Sequence, residues 1–559
     1  MKWNIILGLA IAIASVSCTK LVETDRSSIS IEEYYLSESD LNGGCLTLYP
    51  DLGTMQYHRM LNSMGSIGIT YTAAYTSHSS GLINANDNFN TLVWTIFYKC
   101  ISQANFTIEN IEQSPVNQQI KDKYLAEAKA VRAFVYLRMV KLWGDIPYRT
   151  KLENSSTNLA PTPMAQVYEN IISDLRWAED KCHEPGWQKG RIDKTVVKAL
   201  LADAYLTCAT SAKSYNPATT AKALKPYHDA FSDKIDQYYN YVLELTSEII
   251  SGSSYKLLAA PWSNLWGVAP TYDHRNNVEF LFALQSQQNF VNNNHFYTPN
   301  YSEWAYGNNG AQGWCMSYEY VKSFDAADFR GTQFMFGYKQ INTSVAEPSN
   351  PNLPNNRYRY MVWFRSLGDK YKEVTVDDLT AANGGKNYIE EDGRRFFLAT
   401  HKELYPIKFY DKRSTDNTIF QTSVIPYYRM AEVYLWAAEA ENELNGMTPL
   451  AASRINAIRE RVGLNRYNAG QFSKTDFRKH LIDEYLWEFG FEAKDFHVLQ
   501  RFGQLTERCE GVEVVQNVVP VPGNTTNSRI RVAENYWLAY PGMERSLNKK
   551  MLQYRMDFE

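Results

Sequence analysis

Apolar residues recur at spacings of three and four along much of this chain of 559 residues. Leu125, Ala128, Val131, Val135 and Met139 form one such stripe. Val167, Ile171, Leu175 and Ala178 form a second, and Val196, Val197, Leu200, Leu201, Ala204 and Cys208 a third. This spacing gathers apolar side chains on one face of an α-helix. The pattern returns in Met430, Val433, Ala437, Ala440 and Leu444, then in Ile455, Ile458 and Val462, with Gly446 and Gly463 where those helices should end. The periodicity predicts a helical scaffold over about 92–255 and 426–505.

The helices resemble one another. Ala133-Phe134-Val135-Tyr136-Leu137 is similar to Ala202-Asp203-Ala204-Tyr205-Leu206, and alanines surround Tyr434-Leu435. Tyr136 and Tyr205 lie 69 residues apart, close to twice the roughly 34-residue period of tetratricopeptide (TPR) helix pairs. The helix expected at 164–181 falls between them, where an intervening element belongs. Alanine lets paired helices approach closely while Tyr and Leu fill the groove. A generic helical bundle is the plainer alternative.

From about 256 to 425 the helical pattern mostly stops, and Asn, Gly, Pro and aromatic residues take over. A structureless run of that length does not suit a compact protein, so it is expected as loops, short helices and short strands packed on the scaffold. Phe396–Thr400 and Tyr405–Tyr410 are the candidate strands. The expected fold is mainly α. TPR-like helix pairs form a superhelical scaffold, and a large irregular face over about 256–425 completes a single body spanning 41–559.

The first residues read as an address. A lone Lys2 precedes an apolar run from Ile5 to Val16, too short to span a bilayer as a helix of about 20 residues and suited to a secretory leader at 1–17. The run ends in Ser15-Val16-Ser17-Cys18, which is similar to a bacterial lipobox, so Cys18 is the candidate lipidation site. Polar residues to about 40 are expected as an extended stalk, and an incidental Cys18 after an ordinary signal peptide is the alternative. The net charge of −4 speaks against a nucleic-acid partner. The charged fraction of 21% and hydrophobic fraction of 44% exclude a disordered chain. Of seven cysteines none shows metal-ligand spacing, and Cys100 and Cys208 sit in helical apolar patterns as buried thiols.

Enzyme signatures are missing: there is no Gly-x-Ser-x-Gly, His-Glu-x2-His, phosphate loop or dinucleotide fingerprint. The nine His show no ligand spacing, so no metal and no cofactor are expected. Glu390-Glu391-Asp392 reads as a solvated acidic loop. The stronger lead is aromatic content, 14% of the chain with 39 Tyr. Residues 290–320 hold Phe290, Phe296, Tyr297, Tyr301, Trp304, Tyr306, Trp314, Tyr318 and Tyr320, interleaved with Asn, Gly and Ser. A flat ring covers the C–H face of a sugar while amides pair with its hydroxyl rim. Trp304 and Trp314 lead this set, followed by Tyr297 and Tyr301. Rings that simply pack the segment onto the scaffold are the alternative for each. Trp363, with Arg365, is a further candidate.

Several motifs stand in a fixed order: Trp94 to Asn105, read as Trp-x3-Tyr-x2-Ile-x2-Ala-Asn; Ala126 to Tyr136; Leu142-Trp143-Gly144-Asp145-Ile146-Pro147; Lys198 to Ala202; Arg429 to Val433 with Ala438-Glu439-Ala440; and Ile455-Asn456-Ala457-Ile458-Arg459. Together with the leader they resemble the SusD/RagB family of Bacteroidota outer-membrane lipoproteins. That resemblance implies a non-catalytic nutrient-binding protein, usually for a glycan, at the cell surface. It implies a TonB-dependent, SusC-like transporter as partner, met by the helical half, with ligand held on the irregular face. It also implies that the loop before the first long helix reaches the ligand, which adds Tyr71, Tyr75, Asn86 and Asn88; Trp94 is read as core. The family's acidic-basic helix is altered here. Glu488, Glu492, Arg501 and Gly503 stand, whereas Asp495 and Val498 replace Arg and Asp, so its ion pair is expected to be exchanged or lost. Peptide cargo, a secreted glycan hydrolase and a TPR interaction scaffold are the competing readings.

Overall fold

The structure is a computed structural model and describes residues 34–54, 69–71, 85–152, 158–252, 254–259, 265, 277–284, 314–316, 320, 323–325, 327–332, 334–341, 358–359, 377, 380–381, 384–386, 388–391, 394–406, 425–509 and 536–552. The chain enters through α1 (Glu38–Leu46) and α2 (Leu48–Thr54). Ser37 caps α1: its hydroxyl accepts the Asp40 N–H, and the Asp40 carboxylate accepts the Ser37 N–H at 2.8 Å. Tyr35 is buried and meets Phe106 edge-on. The stalk boundary drawn at 40 is therefore corrected. Ser37 and Asp40 are polar because they cap a helix, and packing starts by Tyr35.

The long helices follow as the periodicity predicts: α3 (Asn88–Gln113), α4 (Gln118–Trp143), α5 (Met164–Ala178), α6 (Lys194–Ser214), the short α7 (Lys225–Phe231) and α8 (Ile235–Ser251). Their counterparts near the C-terminus are α9 (Met430–Asn445), α10 (Pro449–Glu460), α11 (Lys474–Phe489), α12 (Asp495–Arg501), α13 (Leu505–Cys509), α14 (Gly542–Leu547) and α15 (Lys549–Leu552). Helix packs on helix in series: α3 on α4, α4 on α5, α5 on α6, α6 on α8, α8 on α9 and α9 on α10. This is the TPR-like stack. Ala126, Ala128, Ala130 and Ala133 of α4 are buried, and so are Tyr136 and Tyr205. Small residues thus set the helix spacing and the aromatic residues fill it. Gly446 ends α9 at φ 84°, a left-handed turn that suits glycine. Cys100 and Cys208 are buried free thiols, as are Cys45 and Cys182, and Cys509 is buried as well.

Two sheets complete the described architecture. Strands β1 (Ile69–Tyr71), β3 (Trp314–Met316), β7 (Arg394–Pro406), β4 (Phe334–Ile341) and β5 (Tyr358–Arg359) neighbour one another in that order, with β6 (Tyr388–Glu391) also on β7. Strands β2 (Phe280–Leu284) and β8 (Ile425–Arg429) form an antiparallel pair. Where two strands were expected at 396–400 and 405–410, β7 is one strand of 13 residues ending at Pro406. The stretch His401-Lys402-Glu403, which lies between the two expected strands, coincides with a register shift against β4, between the Thr400 and Tyr405 pairings. Residues 407–410 lie outside the described ones. Glu390 and Glu391 are likewise corrected from loop to strand, since they oppose Arg395 and Arg394 in the β6–β7 hairpin. The β2–β8 pair lies on α4, with Phe134 edge-on to Phe282 at 5.3 Å and to Tyr427 at 5.1 Å.

Candidate functional site

Two segments were expected to supply binding side chains, and the sheet joins them. Tyr71 closes β1 and Trp314 opens β3, and their Cα atoms are direct partners in the antiparallel register. One residue comes from the first polar loop and the other from the aromatic-rich segment, 243 positions later. Asn88 is elsewhere than expected. It is the exposed first residue of α3, directly after the N-cap Asp87, whose carboxylate accepts the N–H groups of Phe89 and Asn90. The run Asn86-Asp87-Asn88 read as loop chemistry, and part of that polarity serves a helix start. Tyr75, Tyr297, Tyr301, Trp304, Trp363 and Cys18 lie outside the described residues. Trp94 is buried, edge-on to Trp143 at 5.1 Å, and belongs to the core as read.

What holds β3 to the scaffold can be followed residue by residue. Tyr320, four positions after β3, is buried and donates its hydroxyl to the Leu486 carbonyl of α11 at 2.9 Å. It belongs to the aromatic-rich segment, and it packs. Trp487 donates its indole N–H to Ser323 at 2.9 Å, and the Phe329 N–H reaches the Val462 carbonyl at 2.9 Å. Gly490 follows α11 because a Cβ there would stand 1.9 Å from the Tyr320 hydroxyl oxygen.

Beneath this contact lies a buried ionic cluster. Arg429, at the end of β8, is fully buried. Its guanidinium reaches Glu279 at 3.0 Å, Glu488 at 2.6 Å and Glu492 at 2.8 Å. Arg461 reaches the same Glu279 and Glu488 at 2.7 and 2.5 Å. Arg330 joins Asp328, Glu484 and Glu488 at 2.7 to 2.9 Å. Burial pulls on the Arg330 guanidinium more than any other single influence and favours losing the proton, yet Glu484 and Asp328 together outweigh it and the pKa rises. Burial pushes the Glu484 carboxyl above its usual range, with Arg330 and Arg459 opposing. Each carboxylate is committed to guanidinium groups in a dry interior, so the cluster is a structural clamp. It fastens β2, β8 and the 328–330 turn onto α10 and α11.

The cluster also resolves the altered acidic-basic segment. That segment is two helices, because the chain leaves α11 after Phe489, passes through left-handed Phe491 and Ala493, and re-enters in α12. Its ion pairs are exchanged: Glu488 and Glu492 meet Arg429, Lys494 meets Glu432, and Arg501 meets Glu439. Sequence reasoning missed Glu279, Asp328, Arg330 and Arg461; apart from the Asp328–Arg330 pair, their partners lie far away in the chain. Arg429 and Glu432 were visible in the Arg429-to-Val433 motif but carried no partner.

Comparisons with known proteins agree with this architecture. A sequence model described as the SusD family matches residues 278–556, and a second, described as starch-binding associating with outer membrane, matches 30–206. A SusD-like protein of Formosa agariphila is 22% identical over 91% of this chain and 92% of its own. The starch-binding protein SusD of Bacteroides thetaiotaomicron is 23% identical over 78% of this chain and 76% of its own. Among solved structures, a SusD superfamily protein of Parabacteroides distasonis superposes with a TM-score of 0.68 at 20% identity, covering 94% of this chain and 98% of that one. Surface glycan-binding protein A of Bacteroides thetaiotaomicron superposes with a TM-score of 0.64 at 14% identity, covering 93% and 98%.

Proposed function

The chain belongs to the SusD/RagB family, and from that premise we propose that it is a cell-surface lipoprotein that binds oligo- or polysaccharide without catalysis. In this reading Cys18 carries the lipid anchor, and the captured glycan passes to a SusC-like TonB-dependent outer-membrane transporter. The relatives bearing starch-binding and glycan-binding names support the ligand class. Among the described residues no helix is long and apolar enough to cross a membrane, which is compatible with a tether.

The observation that carries the site assignment is the register of β1 with β3. It sets Tyr71 opposite Trp314, so a ring from each of the two nominated segments would flank one ligand. Trp304, Tyr297, Tyr301, Tyr75 and Trp363 are proposed as further contacts, and Asn88 as a polar one at the rim. Stacked rings with a few hydrogen bonds give micromolar to millimolar affinity, about −8 to −4 kcal/mol. A central ring carries most of such binding.

The test is a binding screen of residues 19–559 against polysaccharides and peptides. The expected result is one glycan family, with binding weakened at least tenfold in both Tyr71→Ala and Trp314→Ala. Peptide binding without glycan binding would change the cargo. New reducing ends released from the bound glycan would make the protein a hydrolase.

A further inference from the structure

The strands that carry the proposed site are thinly held by their own sheet. Strands β1 and β3 are three residues each, and β3 pairs with β7 at a single position, Met316 with Leu404. Strands this short, with so few ladder bonds, fix a backbone poorly by themselves. Where Trp314 stands relative to Tyr71 therefore depends on what pins the chain beyond β3.

The pin is Tyr320. It follows Met316 by four residues, a reach of at most about 14 Å, and among the described residues it is the first after β3 that meets the helical scaffold. Its ring is buried, and its hydroxyl donates to the Leu486 carbonyl at 2.9 Å. Leu486 lies in the last turn of α11, where carbonyls lack partners within the helix. The main chain is held at the same point. The Ser323 hydroxyl donates to the Tyr320 carbonyl at 2.6 Å and accepts the Trp487 indole N–H at 2.9 Å.

Ten residues on, Arg330 joins Glu484 and Glu488 of the same helix at 2.7 and 2.9 Å. The chain is thus fastened to α11 at both 320 and 330. Gly490 leaves the room for this, since its Cβ would collide with the Tyr320 hydroxyl. A helix clamped by buried ion pairs gives β3 the rigid reference that its sheet does not.

Resting on the reading that Tyr71 and Trp314 flank a glycan, we propose that Tyr320 is a positioning residue for ligand capture. Its hydroxyl sets the end of β3 on α11 and so sets Trp314 against Tyr71. Two rings held at the right separation before the sugar arrives give up less of the binding gain to ordering. Gly490, 176 positions after Trp314, acts on the site through Tyr320.

The test is affinity by titration calorimetry, with a melt of each variant. The probe is whichever polysaccharide of a panel, soluble starch included, binds the unsubstituted protein. Tyr320→Phe keeps the ring and removes the hydroxyl, and it should weaken binding about fivefold, the worth of one hydrogen bond. Gly490→Ala, which displaces the hydroxyl from the scaffold side, should weaken it at least as much. Added to Trp314→Ala, Tyr320→Phe should weaken the residual binding no further, because it acts through that residue. Phe134→Ala, on α4 against the β2–β8 pair, is the control for stability. It should lower the melting temperature more than Tyr320→Phe and leave the affinity of the folded protein unchanged. Losses in Tyr71→Ala and Trp314→Ala with unchanged affinity in Tyr320→Phe and Gly490→Ala overturn the inference and leave the site standing. An equal loss in Phe134→Ala, or a full effect of Tyr320→Phe in the Trp314→Ala background, overturns it too. No polysaccharide binding, or binding indifferent to Tyr71→Ala and Trp314→Ala, removes the site itself and this inference with it.

Discussion

A guanidinium buried at the end of a strand must find carboxylates, and Arg429 finds three, Glu279, Glu488 and Glu492. Removing it strands acids that Arg461 and Lys494 only partly serve. Arg429→Met should lower stability by about 3–5 kcal/mol, read in urea as a fall in the midpoint with little change in slope. Arg429→Lys should recover little of that, since a point charge cannot replace a planar fork with several partners. An unchanged midpoint would remove the clamp from the account of the fold. His497 acts through pH. Burial is the main reason its pKa lies well below the usual value, and the Lys141 and Arg138 charges add to it. The unfolded chain therefore takes up a proton below about pH 6.5 that the folded chain refuses. Stability contributed by neutral His497 is full above that pH and is lost as pH falls toward the folded value, by up to about 1.4 kcal/mol per pH unit. His497→Gln should flatten the decline of melting temperature between pH 7 and pH 5.5. A decline as steep as in the unsubstituted protein would assign that acid sensitivity to other groups.

At the scale of the element, local pattern and tertiary demand separate cleanly. Helices α3 to α6, α9 and α10 are amphipathic or Ala-rich in a way that needs only the 3.6-residue period, and they were legible. The break between α11 and α12 was not, because its cause lies 166 positions upstream: Tyr320 donates to Leu486 and fills the space where any residue but glycine at 490 would place its Cβ. Gly490→Ala should cost about 1–3 kcal/mol through overpacking. Tyr320→Leu, which removes the hydroxyl and the ring, should lower stability alone yet reduce the penalty of Gly490→Ala in the double variant. Strict additivity of the two would show that they do not share this contact. The same contrast explains the binding candidates. An aromatic-rich, Asn-rich segment told which residue types were gathered, but only the register of β1 with β3 says that Tyr71 stands opposite Trp314. Tyr320, from the same segment, is buried against α11, which composition alone could not show.

Across the whole molecule, contacts far apart in sequence join the first helices to the last. Helix α8 packs on α9, β1 pairs with β3, and the β2–β8 pair lies on α4. The core cluster runs from Tyr35 to Met551 without a division. Connectivity of this kind argues that the N-terminal helices and the C-terminal helices unfold together, although an array of helix pairs could in principle melt piecewise. Phe134 is the position that decides between them. It is fully buried on α4, and its ring touches Phe282 of β2 and Tyr427 and Tyr428 of β8. Phe134→Ala should cost about 3–5 kcal/mol. If the helices share one cooperative unit, that loss lowers a single calorimetric transition, and far-ultraviolet circular dichroism and tryptophan fluorescence shift together. A variant whose two probes separate would show instead that the β2–β8 pair joins two independently melting halves. Ligand capture at the proposed site on β1 and β3 would then steady only the half that carries those strands, whereas in a single unit the proposed glycan would raise the one transition for the entire chain.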